Sequence, residues 1–286
     1  MSLDEPAFHN IAIVGFGLIG GSIALAIRER WPSIRITAVD RPAVLAHAAG
    51  SGAIDRAVQR VADLGGNDLV ILAAPVEQNV RLLPEAAATI SDGGLITDVG
   101  GTKRDIVNAA CALPGVRAAF VGGHPIGGAE QGGFAFARAD LFRGRPWILT
   151  PNGTSPAPAV DRLAGFVESL GARPTMMDAE DHDRLMAFLS HLPQLTVSAL
   201  MEVVGEAATP SGLRFRARPY GLNSTCVESS GRLARSVRFE RGRHRPRARS
   251  TDRPLAADQG RAHRCRDCRS CLRARRSLAI RADEGA

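Results

Sequence analysis

Residues 10–31 read NIAIVGFGLIGGSIALAIRERW. A short apolar run, a glycine turn and a helical stretch follow one another directly, which is the order strand, tight turn, helix. Gly15, Gly17 and Gly20 stand in the spacing G-x-G-x-x-G. The first glycine permits the tight turn, and the second lets a pyrophosphate approach the backbone. The third lets helix and strand pack closely, with the phosphates over the helix N-terminus. A second strand, IRITAVD, ends in Asp40, 20 residues past Gly20, where a carboxylate can accept hydrogen bonds from an adenosine ribose. Gly15, Phe16, Gly17, Leu18, Ile19, Gly20 and Asp40 are therefore expected to contact a dinucleotide. Asp40 favours NAD, because a carboxylate repels a 2′-phosphate. Arg41 beside it can swing out to such a phosphate, so NADP stays open.

Further apolar segments follow: DLVILAAPV, GLITDVG, AAFVGG and PWILTP. Between the earlier ones lie the helical stretches EQNVRLLPEAAATI and TKRDIVNAACAL. This alternation predicts an α/β fold, a doubly wound parallel sheet of the Rossmann type over residues 1–155. Ligands of such sheets sit beyond the carboxyl ends of the strands. Ala73 and Pro75, Asp98 and His124 each come at or just after an apolar strand and are expected to face the cofactor crevice.

His124 lies in VGGHPIGGAEQGG, residues 121–133, flanked by glycines that leave room for a ligand. A neutral imidazole there can take the proton of a substrate alcohol while the same carbon gives up a hydride. GFGLIGGSIA, AAPV, TDVGGTK, GHPIGGAEQGG, LFRGRPWILTP and DHDRLMAFLSHLPQLTVSAL, in this order over residues 9–213, resemble the prephenate/arogenate dehydrogenase family of tyrosine biosynthesis. The resemblance implies an NAD(P)-dependent oxidative decarboxylation, in which His124 takes the proton of the ring's 4-hydroxyl. It also implies that residues 156–215 begin a helical domain that completes the substrate pocket and forms a homodimer.

The chain departs from the family pattern in places. Gly101 stands where many members carry serine, so a hydroxyl that orients the histidine is missing, and Thr102 next door is the candidate to replace it. In SHLPQ, Gln194 replaces a histidine common in prephenate-using members. Ser190 and Gln194 would carry substrate contacts, and the choice between prephenate and arogenate stays open. Lys103, the only lysine in the chain, reads equally as a solvated helix start or a phosphate contact. Phe134, Phe136 and Phe142 read as packing. His182 and Asp183 read as capping or buttressing a helix start near the site, and His191 as structural or functional alike.

Composition divides the chain. Residues 1–213 carry 16 Lys and Arg against 22 Asp and Glu, whereas residues 214–286 carry 20 Arg against 7 acids. Four of the five cysteines also fall in the second part. Arginine at that density, with few apolar residues and no helix or strand period, builds no core. The family resemblance predicts a motif like GLRFAGPGLxDxTRLA at this point, whose arginine binds a substrate carboxylate. GLRF is present at 212–215, and codons for Ala217 to Val227 read one nucleotide later can spell PGLTDSTRLAS. Residues 216–286 are accordingly read as out of frame and not a native domain. The CxxCxxC run of Cys265, Cys268 and Cys271 is then set aside as a metal site, and the arginine run as a nucleic-acid arm. No metal, nucleic-acid or membrane partner is expected. The start MSLDEPAFHN lacks a secretory layout, and a cytoplasmic protein is expected. Two alternatives remain: an inactive NAD-binding regulator, and a β-hydroxyacid-type dehydrogenase. The second usually places a lysine base on the helix that here reads DHDRLMAFLSHLPQ, which has none.

Overall fold

The computed structural model describes residues 5–113, 118–129 and 131–207. They fall in the first of two compact units, Met1–Glu228. The expectation for residues 216–286 lies outside the described residues.

The strands are β1 (Asn10–Val14), β2 (Arg35–Val39), β3 (Arg56–Val58), β4 (Leu69–Leu72), β5 (Leu95–Asp98), β6 (Ala119–Pro125), β7 (Pro146–Pro151) and β8 (Arg173–Met176). They form one sheet in the order β3-β2-β1-β4-β5-β6-β7-β8. β1 to β6 pair in parallel, as the alternation of strands and helices predicts. The sheet is not wholly parallel, however. β7 runs antiparallel to β6, and β8 is parallel to β7. Among its described residues the β6–β7 connection carries only a short 3-10 turn, Phe134–Phe136, and no crossover helix. A return without a crossover helix is the kind that joins antiparallel neighbours. The expected boundary at residue 155 falls between β7 and the helix that leads to β8. The sheet continues through it.

Helices α1 (Leu18–Arg30), α2 (Pro42–Gly50) and α5 (Ala157–Ser169) cover one face, and α3 (Val76–Thr89) and α4 (Arg104–Cys111) the other. In β1, Ile11 and Ile13 join the first core while Ala12 and Val14 join the second; in β4, Leu69 and Ile71 divide from Val70 and Leu72 in the same way. Both faces of a central parallel strand are buried, so its residues are apolar throughout rather than alternating. Phe142 is buried in the first core, and Phe134 packs on Phe16 with ring centroids 5.2 Å apart. Phe136, expected to pack, is instead exposed.

After β8 the chain enters α6 (Ala179–Met186), whose Asp178 side chain caps the first turn by accepting from the Glu180 backbone N–H at 2.8 Å. The helix read from DHDRLMAFLSHLPQ is interrupted by a π turn at Ala187–His191 and resumes as α7 (Leu192–Ala207). Pro193 has no N–H to continue the ordinary ladder, and a wider turn before it is one way to absorb that loss. Such turns gather at functional sites, and this one carries Ser190 and His191.

Candidate active site

The glycine loop follows β1. A Cβ on Gly15 would come within 2.5 Å of the Ala74 backbone nitrogen, and its φ of +93° suits glycine alone. A Cβ on Gly20 would stand 2.1 Å from the Gly15 carbonyl. At Gly17 a Cβ would meet nothing within 4 Å. Two glycines are thus required by the fold itself, and the third faces open space at the start of α1. No side chain caps that helix, which leaves its first N–H groups to an outside acceptor.

Asp40 follows β2 and holds the loop from the far side. Its Oδ2 accepts the Phe16 backbone N–H and its Oδ1 the Arg41 backbone N–H, each at 2.6 Å. The Arg41 side chain is 87% exposed. The Phe16 ring is fully buried in the core, so only its backbone is available on the loop. Leu18 and Ile19 are half-buried on the first turn of α1. Ala73 and Pro75 lie in the β4–α3 connection, which Asn79 fixes: its Oδ1 accepts the Ala74 N–H, and its Nδ2 donates to the Leu72 carbonyl. Asn79 was not picked out from sequence. Its signal there was a polar residue on the face of α3 that otherwise buries Leu83 and Ala86.

Asp98, expected at the cofactor, is wholly buried and turned inward. Gly100 N–H donates to its Oδ2 at 2.8 Å, Gly123 N–H donates to its Oδ1 at 3.2 Å, and the Lys103 ammonium donates to Oδ2 as well. Lys103 also donates to the Gly123 carbonyl at 2.6 Å. Its side chain is 0% exposed, so neither the solvated nor the phosphate-binding expectation fits. Burial pulls the ammonium below its usual range, and the Asp98 charge opposes that. The pair clamps the end of β5 to β6.

His124 lies within β6, opposite Ile148 of β7, and not in a loop after the strand. The antiparallel neighbour extends β6 beyond its apolar run through Gly122 and Gly123. On its outer edge, a Cβ built at Gly101 would stand 3.9 Å from His124 Nε2. A serine there would reach the ring, and glycine leaves that space open. On its inner edge, Nδ1 lies 2.8 Å from His182 Nε2. Burial, followed by the charges of Lys103, His182 and His191, pushes the His124 pKa down to about 3, with Asp183 opposing. The ring is neutral at neutral pH.

His182, fully buried, pairs through Nδ1 with Asp183 Oδ1 at 2.8 Å. Asp183 also caps the start of α4. Its Oδ1 accepts the Lys103 N–H at 2.7 Å, and its Oδ2 the Arg104 N–H at 3.0 Å. Burial acts to raise the Asp183 pKa, but these three donors outweigh it and hold the carboxyl below its ordinary value. Of the remaining expected substrate contacts, Thr102 is half-buried beside Gly101, Ser190 is exposed on the π turn, and the Gln194 amide donates to Ser198 at 3.4 Å. His191, left undecided from sequence, is half-buried at the end of the π turn.

Among the described residues no group of His, Cys, Asp and Glu is arranged to hold a metal ion, and no helix is long and apolar enough to cross a membrane.

The family model "Prephenate dehydrogenase, nucleotide-binding domain" matches residues 23–176. The prephenate dehydrogenase of Bacillus subtilis is 39% identical over 232 residues, covering 79% of this chain and 62% of that protein. The cyclohexadienyl dehydrogenase of Zymomonas mobilis is 30% identical, covering 82% of this chain and 81% of its own. Among solved structures, prephenate dehydrogenase from A. aeolicus in complex with hydroxyphenyl propionate and NAD+ superposes with a TM-score of 0.70. It is 27% identical, covering 82% of this chain and 83% of that one. The chain spans less than two thirds of the length of the Bacillus relative.

Proposed function

The chain belongs to the prephenate dehydrogenase family, and on that premise we propose that it carries the site for NAD-dependent oxidative decarboxylation of prephenate or arogenate in tyrosine biosynthesis. The carrying observation is His124: a half-buried, neutral imidazole whose Nε2 faces the space left by Gly101 at the carboxyl edge of the sheet.

The residues present fit a dinucleotide. The uncapped start of α1 and the open side of Gly17 offer a cradle for a pyrophosphate, and Asp40 stands where a ribose hydroxyl donates. A nicotinamide bound in the crevice would supply the acceptor for the hydride leaving C4 of the cyclohexadienyl ring. His124 Nε2 accepts the hydrogen bond of the 4-hydroxyl and takes its proton as the C4 hydrogen departs. Loss of the ring carboxylate as CO₂ leaves the bonding pair in the ring, which becomes aromatic. Gly101 and Thr102 border the hydroxyl end of the substrate, and Ser190 and Gln194 approach it from the helical segment. NAD is the proposed cofactor. NADP remains compatible through the exposed Arg41 side chain.

The glycine loop separates fold from binding. Gly20→Ala is expected to cost about 1–3 kcal/mol of stability through overpacking, seen as a lowered Tm. Gly17→Ala should melt with the parent but weaken NAD binding at least about tenfold, since a methyl group would occupy the phosphate side of the loop. Unchanged NAD titration in Gly17→Ala would remove the pyrophosphate assignment.

The deciding experiment follows NADH absorbance with prephenate or arogenate and NAD+, in this chain and in one whose codons after Arg216 are read in the alternate frame. Turnover is expected in the second, which regains TRLA and its carboxylate-binding arginine. Loss of that partner costs about 2–5 kcal/mol of binding and should leave the present chain nearly inactive. If neither chain turns over either substrate while both bind NAD, the enzyme reading fails and the NAD-binding regulator takes its place. We further propose that the restored enzyme is a cytoplasmic homodimer. Exposed Phe188, Leu189, Leu192, Leu195, Leu200 and Val203 along the π turn and α7 support the association of two copies.

A further inference from the structure

We propose that His182 and Asp183 are positioning residues that act through His124, fixing its tautomer with Nε2 bare and giving the proton it takes up a second resting place one ring further in. This rests on the reading of His124 as the base, but its test does not need turnover.

The argument begins at backbone groups, whose roles are unambiguous. The Lys103 and Arg104 N–H groups donate to the two oxygens of Asp183. Both oxygens therefore act as acceptors, and the group is a carboxylate. The His182 nitrogen facing it at 2.8 Å, Nδ1, must then carry a hydrogen. In a neutral His182 this leaves Nε2 as a lone pair. His124 Nδ1 lies 2.8 Å from that lone pair and must in turn donate. A neutral His124 that donates through Nδ1 has a bare Nε2, the nitrogen on the Gly101 side. The tautomer needed for proton abstraction is thus set by a chain that starts at the N-terminus of α4.

The same chain accounts for where the charge goes. His124 is poorly placed to keep a proton, because burial penalises its charged form and the Lys103 ammonium adds like charge. When Nε2 takes a proton, the hydrogen on Nδ1 can pass to His182 Nε2. One proton enters and one moves on, so His124 returns to neutrality with the opposite tautomer. The positive charge then lies on His182, against the Asp183 carboxylate. The rings meet edge to face, 5.1 Å between centroids at 72°. The bond between them spans β6 and α6, 58 residues apart. Here Asp183 does what an acid behind a catalytic histidine does elsewhere, with a second imidazole between them. In a chain with glycine at 101, this inner partner takes over the orienting role.

Ring ¹⁵N NMR of the full chain at neutral pH tests this, because protonated and bare imidazole nitrogens resonate far apart. The His124 signals are assigned by their loss in His124→Gln. The expected result is a bare Nε2 and a protonated Nδ1 in the resting protein. His182→Gln should preserve that pattern, since its amide oxygen can accept from Nδ1 and its amide N–H can donate to Asp183. His182→Leu should lose it, giving a mixture of the two tautomers. Should His182→Leu fail to fold, Asp183→Asn is the second variant. Its amide cannot accept from three donors, and it should release His182 and with it the His124 tautomer. A protonated Nε2 in the parent, or the parent pattern surviving in the variant that folds, overturns the relay. A dehydrogenase reading that fails on turnover leaves this result standing, and the converse holds as well.

Discussion

His124→Asn in the frame-restored enzyme lowers kcat by about 10²–10⁴-fold, the range for removal of a positioned general base, while NAD affinity stays near that of the parent. Asparagine can still hydrogen-bond the 4-hydroxyl, so KM should change little. What it cannot do is take the proton, and a loss confined to kcat marks an interaction made in the transition state. The pH profile of the parent adds a second check. The His124 pKa lies below its ordinary value, near 3, so the base form persists as pH falls through the range where exposed histidines titrate. The acid limb of kcat/KM, which reports the free enzyme, should therefore not appear near pH 6.5. Stability moves in the same interval. The unfolded chain takes up a proton at His124 near pH 6.5 and the folded chain only near 3. Stability is thus lost as pH falls between them, by up to about 1.4 kcal/mol per pH unit. Circular dichroism at each pH separates unfolding from loss of base. An undiminished rate in His124→Asn would end the mechanism proposed above.

The fold was legible where physics acts locally. The glycine spacing, the apolar strands and the acid after β2 each follow from short-range requirements, and they locate the crevice without tertiary information. What the sequence could not display is pairing direction and distance. VGGHP looks like a strand running out into a flexible loop, and only the antiparallel return of β7 makes it the continuation of β6. Lys103 sits at the N-cap of α4, a position that is ordinarily solvated. Its burial depends on Asp98 five residues back and on the Gly123 carbonyl 20 residues ahead. His182 and Asp183 read as capping or buttressing a helix start. They lie past the first turn of α6, and the Asp183 carboxylate caps a different helix, α4, across 79 and 80 residues. One faint clue was present. A chain that uses arginine for every other cation keeps a single lysine, and a compact ammonium suits a site too closed for a planar guanidinium.

That lysine should give the largest loss of stability among the described residues. Lys103→Met removes the cation from a pair in which both side chains are 0% exposed, and an uncompensated buried carboxylate costs about 3–5 kcal/mol. For a chain of this size the loss corresponds to a Tm lower by about 6–20 °C. Lys103→Arg should also destabilise, because the guanidinium cannot occupy the point between Asp98 Oδ2 and the Gly123 carbonyl. Adding Asp98→Asn to Lys103→Met should recover part of the loss. The neutral amide no longer needs a counter-ion, and its oxygen can still accept one of the two backbone N–H groups. The other is left unsatisfied at about 1–3 kcal/mol, so recovery stays incomplete. This non-additivity is the signature of a direct pair. Gly123 is held at both its N–H and its carbonyl by these two residues, and His124 follows it in the chain. Folded Lys103→Met protein should therefore also lose kcat at temperatures where it remains native. A melting temperature within about 2–4 °C of the parent, the shift expected for 1 kcal/mol, would mean that the pair does not clamp β5 to β6, and that the position of His124 is set by β7 and His182 instead.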